Sequence, residues 1–293
     1  MNSPLVILEM ANNHMGSLNH GKKIINQFNK VTKKYKNIIN FAFKFQYRDS
    51  NTFIHKTYKK SEHSGVKRFE STFLKDSEWQ KLLTYTKKYY DLICTPFDEV
   101  SVKRVFKQNF KYCKIASCSA TDWPLLESIV FNHKKKNKKI IASLAGLNIN
   151  EISKLISFFR NNKIDANYLY CVGKYPTNME DVNLSYFKFL NERYGNIIQG
   201  FSSHESPDIY STPSIAYGAG VRIFEKHVGV NYNKFKLNKY SLTIANLKNW
   251  LDNLVSGIKT WGSIDGRNKN VKNEIIQLDN FKRGVYLKNN LKI

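Results

Sequence analysis

The chain is short of acid. Its 293 residues carry 23 Asp and Glu against 47 Lys and Arg, a formal net charge of +24 at pH 7. A clustered excess of that kind signals nucleic acid, an anionic surface or an anionic substrate. Here the lysines are dispersed among Asn and Ile, with no basic stripe interleaved with aromatics, so nucleic-acid binding is not expected. The densest basic run, His133–Lys139, reads as a solvated loop between a helix and a strand. Cysteine is scarce: Cys94, Cys113, Cys118 and Cys171 include no C-x-x-C pair, which argues against a disulfide framework and for buried, reduced thiols. No Pro/Gly-rich linker and no low-complexity segment breaks the chain. No apolar run approaches the ~20 residues of a membrane span. The start, Met1–Glu9, lacks the basic region of a signal peptide, so a cytoplasmic location is expected.

What is present is a period. With 42% hydrophobic and 24% charged residues, the chain has material for a core. Short apolar runs read as strands at Leu5–Met10, Ile39–Phe45, Leu92–Pro96, Tyr112–Ser117, Ile140–Leu144, Asn167–Val172, Ile197–Ser202 and Arg222–Val228. Amphipathic stretches alternate with them, from Leu18–Lys34 to Ile244–Trp261, with caps expected at Asn150 and Asp208. Eight strands alternating with eight helices predict an α/β fold, a (β/α)8 TIM barrel spanning residues 1–262. An open doubly wound sheet is the alternative, but Glu9–Ser17 after the first strand is no glycine-rich dinucleotide fingerprint. The long segment Tyr47–Lys75 is expected to cover a site. Residues 263–293 read as an extension, with a polar loop over Gly262–Lys272 and a strand over Phe281–Lys288.

In a barrel the C-terminal strand ends carry the chemistry. Two lysines there stand in apolar runs: Lys44 in Phe-Ala-Phe-Lys-Phe and Lys114 in Tyr-Cys-Lys-Ile-Ala. A buried ammonium requires an anion. Glu9, Glu225 or Asp98 would serve, and so would a bound phosphate or carboxylate, which Thr95, Ser117, Ser143 and Ser202 at the same end would help to hold. His204 and His227 end the last two strands. They read either as a metal-holding pair or as a hydrogen-bonded structural pair. His20, His55, His63 and His133 read as surface residues, with His14 intermediate.

These strand-end residues resemble the sialic acid synthase family, which makes N-acetylneuraminate and related nonulosonic acids. The family pattern appears as Glu9 with Asn13-His14-Met15-Gly16, then Lys44-Phe45-Gln46, Thr95-Pro96-Phe97-Asp98, Lys114-Ile115-Ala116-Ser117, Tyr175-Pro176-Thr177, Ser202-Ser203-His204 and Glu225-Lys226-His227. The resemblance implies condensation of phosphoenolpyruvate with an open-chain aldose to give a 2-keto-3-deoxy sugar acid. It implies that Lys44, Thr95, Lys114, Ser117, Ser143 and Ser202 bind phosphoenolpyruvate, whose charge answers the two lysines. Glu9 would act beside the reacting carbons, and Gln46, Ser119 and Tyr175 would meet the acceptor. His204 and His227 would hold Mn2+ or Mg2+, and the protein would form a homodimer.

The departures lie on the acceptor side. Cys118-Ser119 replace the family's Gly-Glu, Ser143-Leu144-Ala145-Gly146 replaces Ser-Thr-Gly-Met, Gly173 replaces an Asn and Ser203 an Asp. A sugar-binding Asp has no counterpart in Lys236–Ser241, and the chain ends where the family's antifreeze-like domain would begin. The expectation is a retained donor and an acceptor other than N-acetylmannosamine, smaller or phosphorylated, because lost carboxylates remove repulsion toward an anion. The rival expectation is an inactive homologue that binds a ligand or acts as a scaffold.

Overall fold

Along Asn40–Tyr47 the side chains of Phe41, Phe43 and Phe45 are buried against the outer helices, while Ala42, Lys44 and Gln46 face the barrel axis, as the two-residue period of a strand requires. In the computed structural model, which describes residues 3–232, 236–279 and 281, eight such strands close into one parallel barrel in chain order. They are β1 (Leu5–Glu9), β2 (Asn40–Tyr47), β3 (Asp91–Pro96), β4 (Tyr112–Ile115), β5 (Lys139–Ser143), β6 (Ala166–Cys171), β7 (Ile198–Ser203) and β8 (Ile223–His227). The fold is the (β/α)8 barrel expected.

The interior is layered. Ile7, Ala42, Ile93, Tyr112, Ile141, Leu169 and Ile223 form an apolar plug inside the barrel, separate from the larger core between strands and helices. The remaining strand, β7, adds only Gly200 at this level. A Cβ there would meet Leu169 Cδ2 at 2.0 Å and the Ile223 carbonyl at 2.8 Å, so only glycine fits. Two residues onward on every strand, the inward positions are Glu9, Lys44, Thr95, Lys114, Ser143, Cys171, Ser202 and Glu225. All eight are buried. The plug thus forms a dry floor under a polar layer at the C-terminal mouth.

Several expectations need correction. The helix expected from Asn150 starts at Ile149. Asn148 caps it, accepting from the Asn150 and Glu151 N–H groups while the Glu151 carboxylate accepts from the Asn148 N–H. Asp208 caps nothing: its helix begins at Thr212, after Ser211, and Asp208 accepts from the Asn246 side chain at 3.0 Å. Tyr47–Lys75 contains two short helices, Ser50–Phe53 and Ser64–Ser71. His133–Lys135 finish the helix Trp123–Lys135, and Lys138 is buried. Cys118 is exposed, whereas the other three cysteines are buried and free.

His20 is buried, not superficial. It shares a helix face with Ile24 and Phe28, four and eight residues on, and stacks on Tyr232 at 4.2 Å. Gly262–Lys272 is not a loop: Ile264–Asp279 is a helix, begun by the Ser263 hydroxyl accepting from the Gly266 N–H. None of its residues is buried, and Ile264, Ile275, Ile276 and Leu278 are exposed. The expected strand Phe281–Lys288 lies, beyond Phe281, outside the described residues. Among the described residues no helix is long and apolar enough to cross a membrane.

Candidate active site

The register of the sheet assembles the polar layer. Glu9 lies beside Lys44 on one side and His227 on the other, and Ser202 lies beside Glu225. Lys44 is ion-paired to Glu9 and, at 2.7 Å, to Glu225. Lys114 stands 3.9 Å from the same Glu225 oxygen and donates to Ser143 Oγ at 2.6 Å and to the Ile115 carbonyl at 3.0 Å. Ser202 Oγ donates to Glu225 at 2.9 Å, and Glu9 Oε1 accepts from the Ala11 N–H at 2.7 Å. These two ammonium groups and two carboxylates form one buried cluster. Protein carboxylates therefore already answer Lys44, where the family resemblance assigned that task to a bound anion. Asp98 takes no part: it caps the next helix, accepting from the Ser101 N–H and hydroxyl and from the Asp49 N–H.

The cluster tunes its members. Burial pulls the Lys44 ammonium down to about 8, against the opposing pull of Glu225, so it remains charged at neutral pH. Burial works to raise the Glu225 carboxyl, but Lys114 and Lys44 outweigh it and hold it below the ordinary range. The Cys171 thiol, on the same layer, is pushed up by burial to about 11 and stays protonated.

Above this layer stand the two histidines, with ring centroids 5.3 Å apart. Burial lowers His204 to about 4, helped by the charges of Lys226, Lys44 and Lys114 and opposed by Glu225. Burial also holds His227 well down, with His204 and Lys44 adding to it. Both rings are thus neutral and able to ligate a metal. Two imidazoles sharing one ion at nitrogen–metal distances of about 2.1 Å bring their centroids to roughly 5 Å. The separation and the buried, unpartnered His227 Nδ1 fit a divalent cation. Among the described residues no group of three or more His, Cys, Asp or Glu side chains is arranged to hold a metal, so substrate or water would complete its shell.

Each expected residue has a place. Thr95 is buried on the polar layer and its hydroxyl has no hydrogen-bond partner among the described residues. Ser117 Oγ accepts from the Ala145 N–H at 3.0 Å, fastening the turn after β5. Tyr175 packs edge-on against His204, centroids 4.4 Å apart. Gln46 points into a cavity of about 380 Å3 shared with His227. Ser119 is buried in the turn after β4, and no side-chain bond joins it to the cluster. His14 is structural: it lies edge-on to Trp79 at 5.3 Å, accepts from the Gly16 N–H, and burial lowers it to about 3.

Three contributors stand out only in the structure, and a fourth, Glu225, does more there than answer one lysine. Glu225 was read only as a partner for lysine, yet it links Lys44, Lys114 and Ser202. Tyr240 lies 5.0 Å from His227 and 5.4 Å from Tyr175, roofing the histidines from a loop no periodicity announces. Lys226 is paired to Glu205 at 3.1 Å and also donates to the Glu205 carbonyl, tying together the backbone beside the two histidines. Arg48 continues the inward series 42, 44, 46 just past β2, a signal that was available.

A sequence profile described as the NeuB family matches residues 36–269. An uncharacterised protein of Methanocaldococcus jannaschii is 34% identical over 78% of this chain. The match covers 63% of that protein, so the chain spans less than two thirds of its length. The N,N'-diacetyllegionaminic acid synthase of Campylobacter jejuni is 29% identical over 80% of this chain and 70% of its own. Among solved structures, one described as a spore coat polysaccharide biosynthesis protein E of Chromobacterium violaceum superimposes with a TM-score of 0.84 at 37% identity, over 89% of this chain and 77% of that one. With the profile covering most of its length, the chain belongs to the NeuB family.

Proposed function

We propose that the barrel mouth joins phosphoenolpyruvate to an open-chain aldose, giving a 2-keto-3-deoxy sugar acid and phosphate. The observation that carries this reading is the buried Lys44, Glu9, Glu225 and Lys114 cluster, roofed by two neutral imidazoles, in a barrel of this family. Relatives named as synthases of legionaminic and pseudaminic acids support the reaction type. Carbon 3 of the donor forms the new bond to the aldehyde carbon. The cation left at carbon 2 takes the oxygen of one water. The carbon 2–oxygen bond to phosphate then breaks as the ketone forms, and the water's protons pass to the new alkoxide and to the departing phosphate.

The four charged side chains sum to zero, so a bound donor anion draws on hydroxyl donors as well as on the lysines. Thr95, Ser117, Ser143 and Ser202 would supply those hydroxyls. Lys114, already aimed at Ser143, holds the anion. Glu9, with one oxygen fixed by the Ala11 N–H, orients the water or takes its proton. His204 and His227 would hold a divalent cation, manganese or magnesium, which supplies polarisation of the aldehyde oxygen. Gln46 and Tyr175 border the acceptor. On this reading residues 1–262 are the synthase barrel and residues 263–293 an extension.

The test is release of inorganic phosphate from phosphoenolpyruvate in the presence of Mn2+ and a panel of aldoses. Release that depends on both sugar and metal, and that His204→Ala abolishes together with Mn2+ binding by calorimetry, is the expected outcome. Silence across the panel with metal bound would leave a ligand-binding family member instead. Full activity and metal affinity in His204→Ala would remove the histidine pair from the mechanism.

A further inference from the structure

Beside His227 a cavity of about 380 Å3 is lined by Asn12, Gln46, Arg48, Arg68 and Tyr240, among others. Two of its lining residues are arginines and none is acidic. Arg48 is held with care. Its guanidinium carbon lies 3.8 Å from the centroid of Phe97, 4.2 Å from that of Phe69 and 5.6 Å from that of Phe53. One terminal nitrogen donates to Gln46 Oε1 at 2.8 Å. Its Nε is buried with no hydrogen-bond partner, and no carboxylate is ion-paired to it among the described residues. Asp98, the carboxylate whose charge acts on it, spends its oxygens on Ser101 and the Asp49 N–H.

The aromatic rings satisfy the faces of this guanidinium and fix its plane. They leave its edge, which is the part that binds oxyanions. Burial lowers the Arg48 guanidinium, and the charge of Arg68 lowers it further, so the two cations repel. Two arginines brought together over an acid-free cavity are stabilised by an anion between them. That anion is not the donor's: neither Lys44 nor Lys114 lines this cavity.

We infer that Arg48 and Arg68 form a subsite for an anionic group, phosphate or carboxylate, at the far end of the acceptor aldose. The inference rests on the synthase reading for the placement of the aldehyde at the histidines. The subsite itself stands on the arginines and the cavity. It assigns acceptor selection to the segment between β2 and β3.

The test is calorimetric titration of the phosphoenolpyruvate-saturated protein with D-mannose, D-mannose 6-phosphate and D-mannuronate, and with N-acetylmannosamine and its 6-phosphate. Anionic sugars are expected to bind at least tenfold more tightly than their neutral counterparts. Arg68→Gln, an exposed and foldable change, and Arg48→Lys, which keeps the charge but loses the fork, should each erase that advantage. Affinity for phosphoenolpyruvate, titrated alone, should stay unchanged. Phosphate and uronate arms tell the two anions apart. Equal binding of neutral and anionic sugars overturns the subsite. So does a variant that weakens phosphoenolpyruvate instead. Phosphate release is read separately, in the same mixtures with Mn2+ added: tight anionic binding without release sinks the synthase reading and keeps the subsite, whereas release with equal affinities does the reverse.

Discussion

At the C-terminal mouth Lys44 and Lys114 are buried against Glu9 and Glu225. At the opposite end, Lys36, Lys87, Lys88, Lys111 and Lys136 line a larger cavity of about 950 Å3 around the starts of β2 to β5. The larger, more basic cavity is the less informative one. Those five lysines stand in solvent, and the ion pair of Lys111 to Asp91, at 2.6 Å, is half exposed on both sides. Its one buried ammonium, Lys138, donates to the carbonyls of Gln108 and Phe110, which fastens the chain entering β4 to that entering β5. Burial lowers it to about 8, and no acid faces it. Lysine count and cavity volume therefore do not distinguish a site. Buried opposite charges on neighbouring strands, with spare hydroxyls around them, do.

Removing one lysine from each end gives the sharpest contrast. Lys44→Met leaves Glu9 and Glu225 buried without their cation and should cost about 3–5 kcal/mol in urea denaturation. Lys138→Met orphans two carbonyls and should cost about 1–3 kcal/mol. Equal losses would break the distinction. The next effect is on ligand affinity. Lys114→Ala should raise the KM for phosphoenolpyruvate by about 10–100-fold, the worth of a charge-assisted hydrogen bond. An unchanged KM would remove Lys114 from the donor site.

A pH series on the metal-free protein separates the ends in another way. His204 and His14 are held neutral, at about 4 and about 3, whereas the unfolded chain binds their protons near 6.5. Their contribution to stability is complete above pH 6.5 and is lost as pH falls toward 4 for His204 and toward 3 for His14, at up to about 1.4 kcal/mol per pH unit for each group. Between pH 7 and 8 stability should be flat with respect to these groups. A loss of stability on raising the pH through that window would contradict neutral histidines. The smallest effect is expected at the solvent-facing end: replacing Lys87, Lys88 and Lys136 together by Ala should leave turnover unchanged and shift stability by no more than about 0.5 kcal/mol per site.

The strands were legible because a barrel strand is buried on both faces, and an apolar run of four to eight residues bounded by polar turns is hard to mistake. The inward lysines were legible for the same reason: Lys44 among phenylalanines is an exception to its surroundings. The helix Ile264–Asp279 was not legible, because it buries nothing, and without a buried face no apolar period marks it. His20 was misjudged because histidine is ambivalent, and only its helix face, shared with Ile24 and Phe28, decides its burial. Cys118 went the other way, since it follows an apolar strand and yet turns outward in the loop.

The chain by itself determined the barrel and the residue types gathered at its mouth, because alternation along a strand is a local property and closure follows from eight repeats of one unit. Only the tertiary structure decided which charges meet. Glu9, Lys44 and Glu225 come from three strands far apart in sequence, and Arg48 and Arg68 face one cavity across a folded segment. Pairing of that kind depends on register and on the path of loops. Composition and spacing carry no record of either.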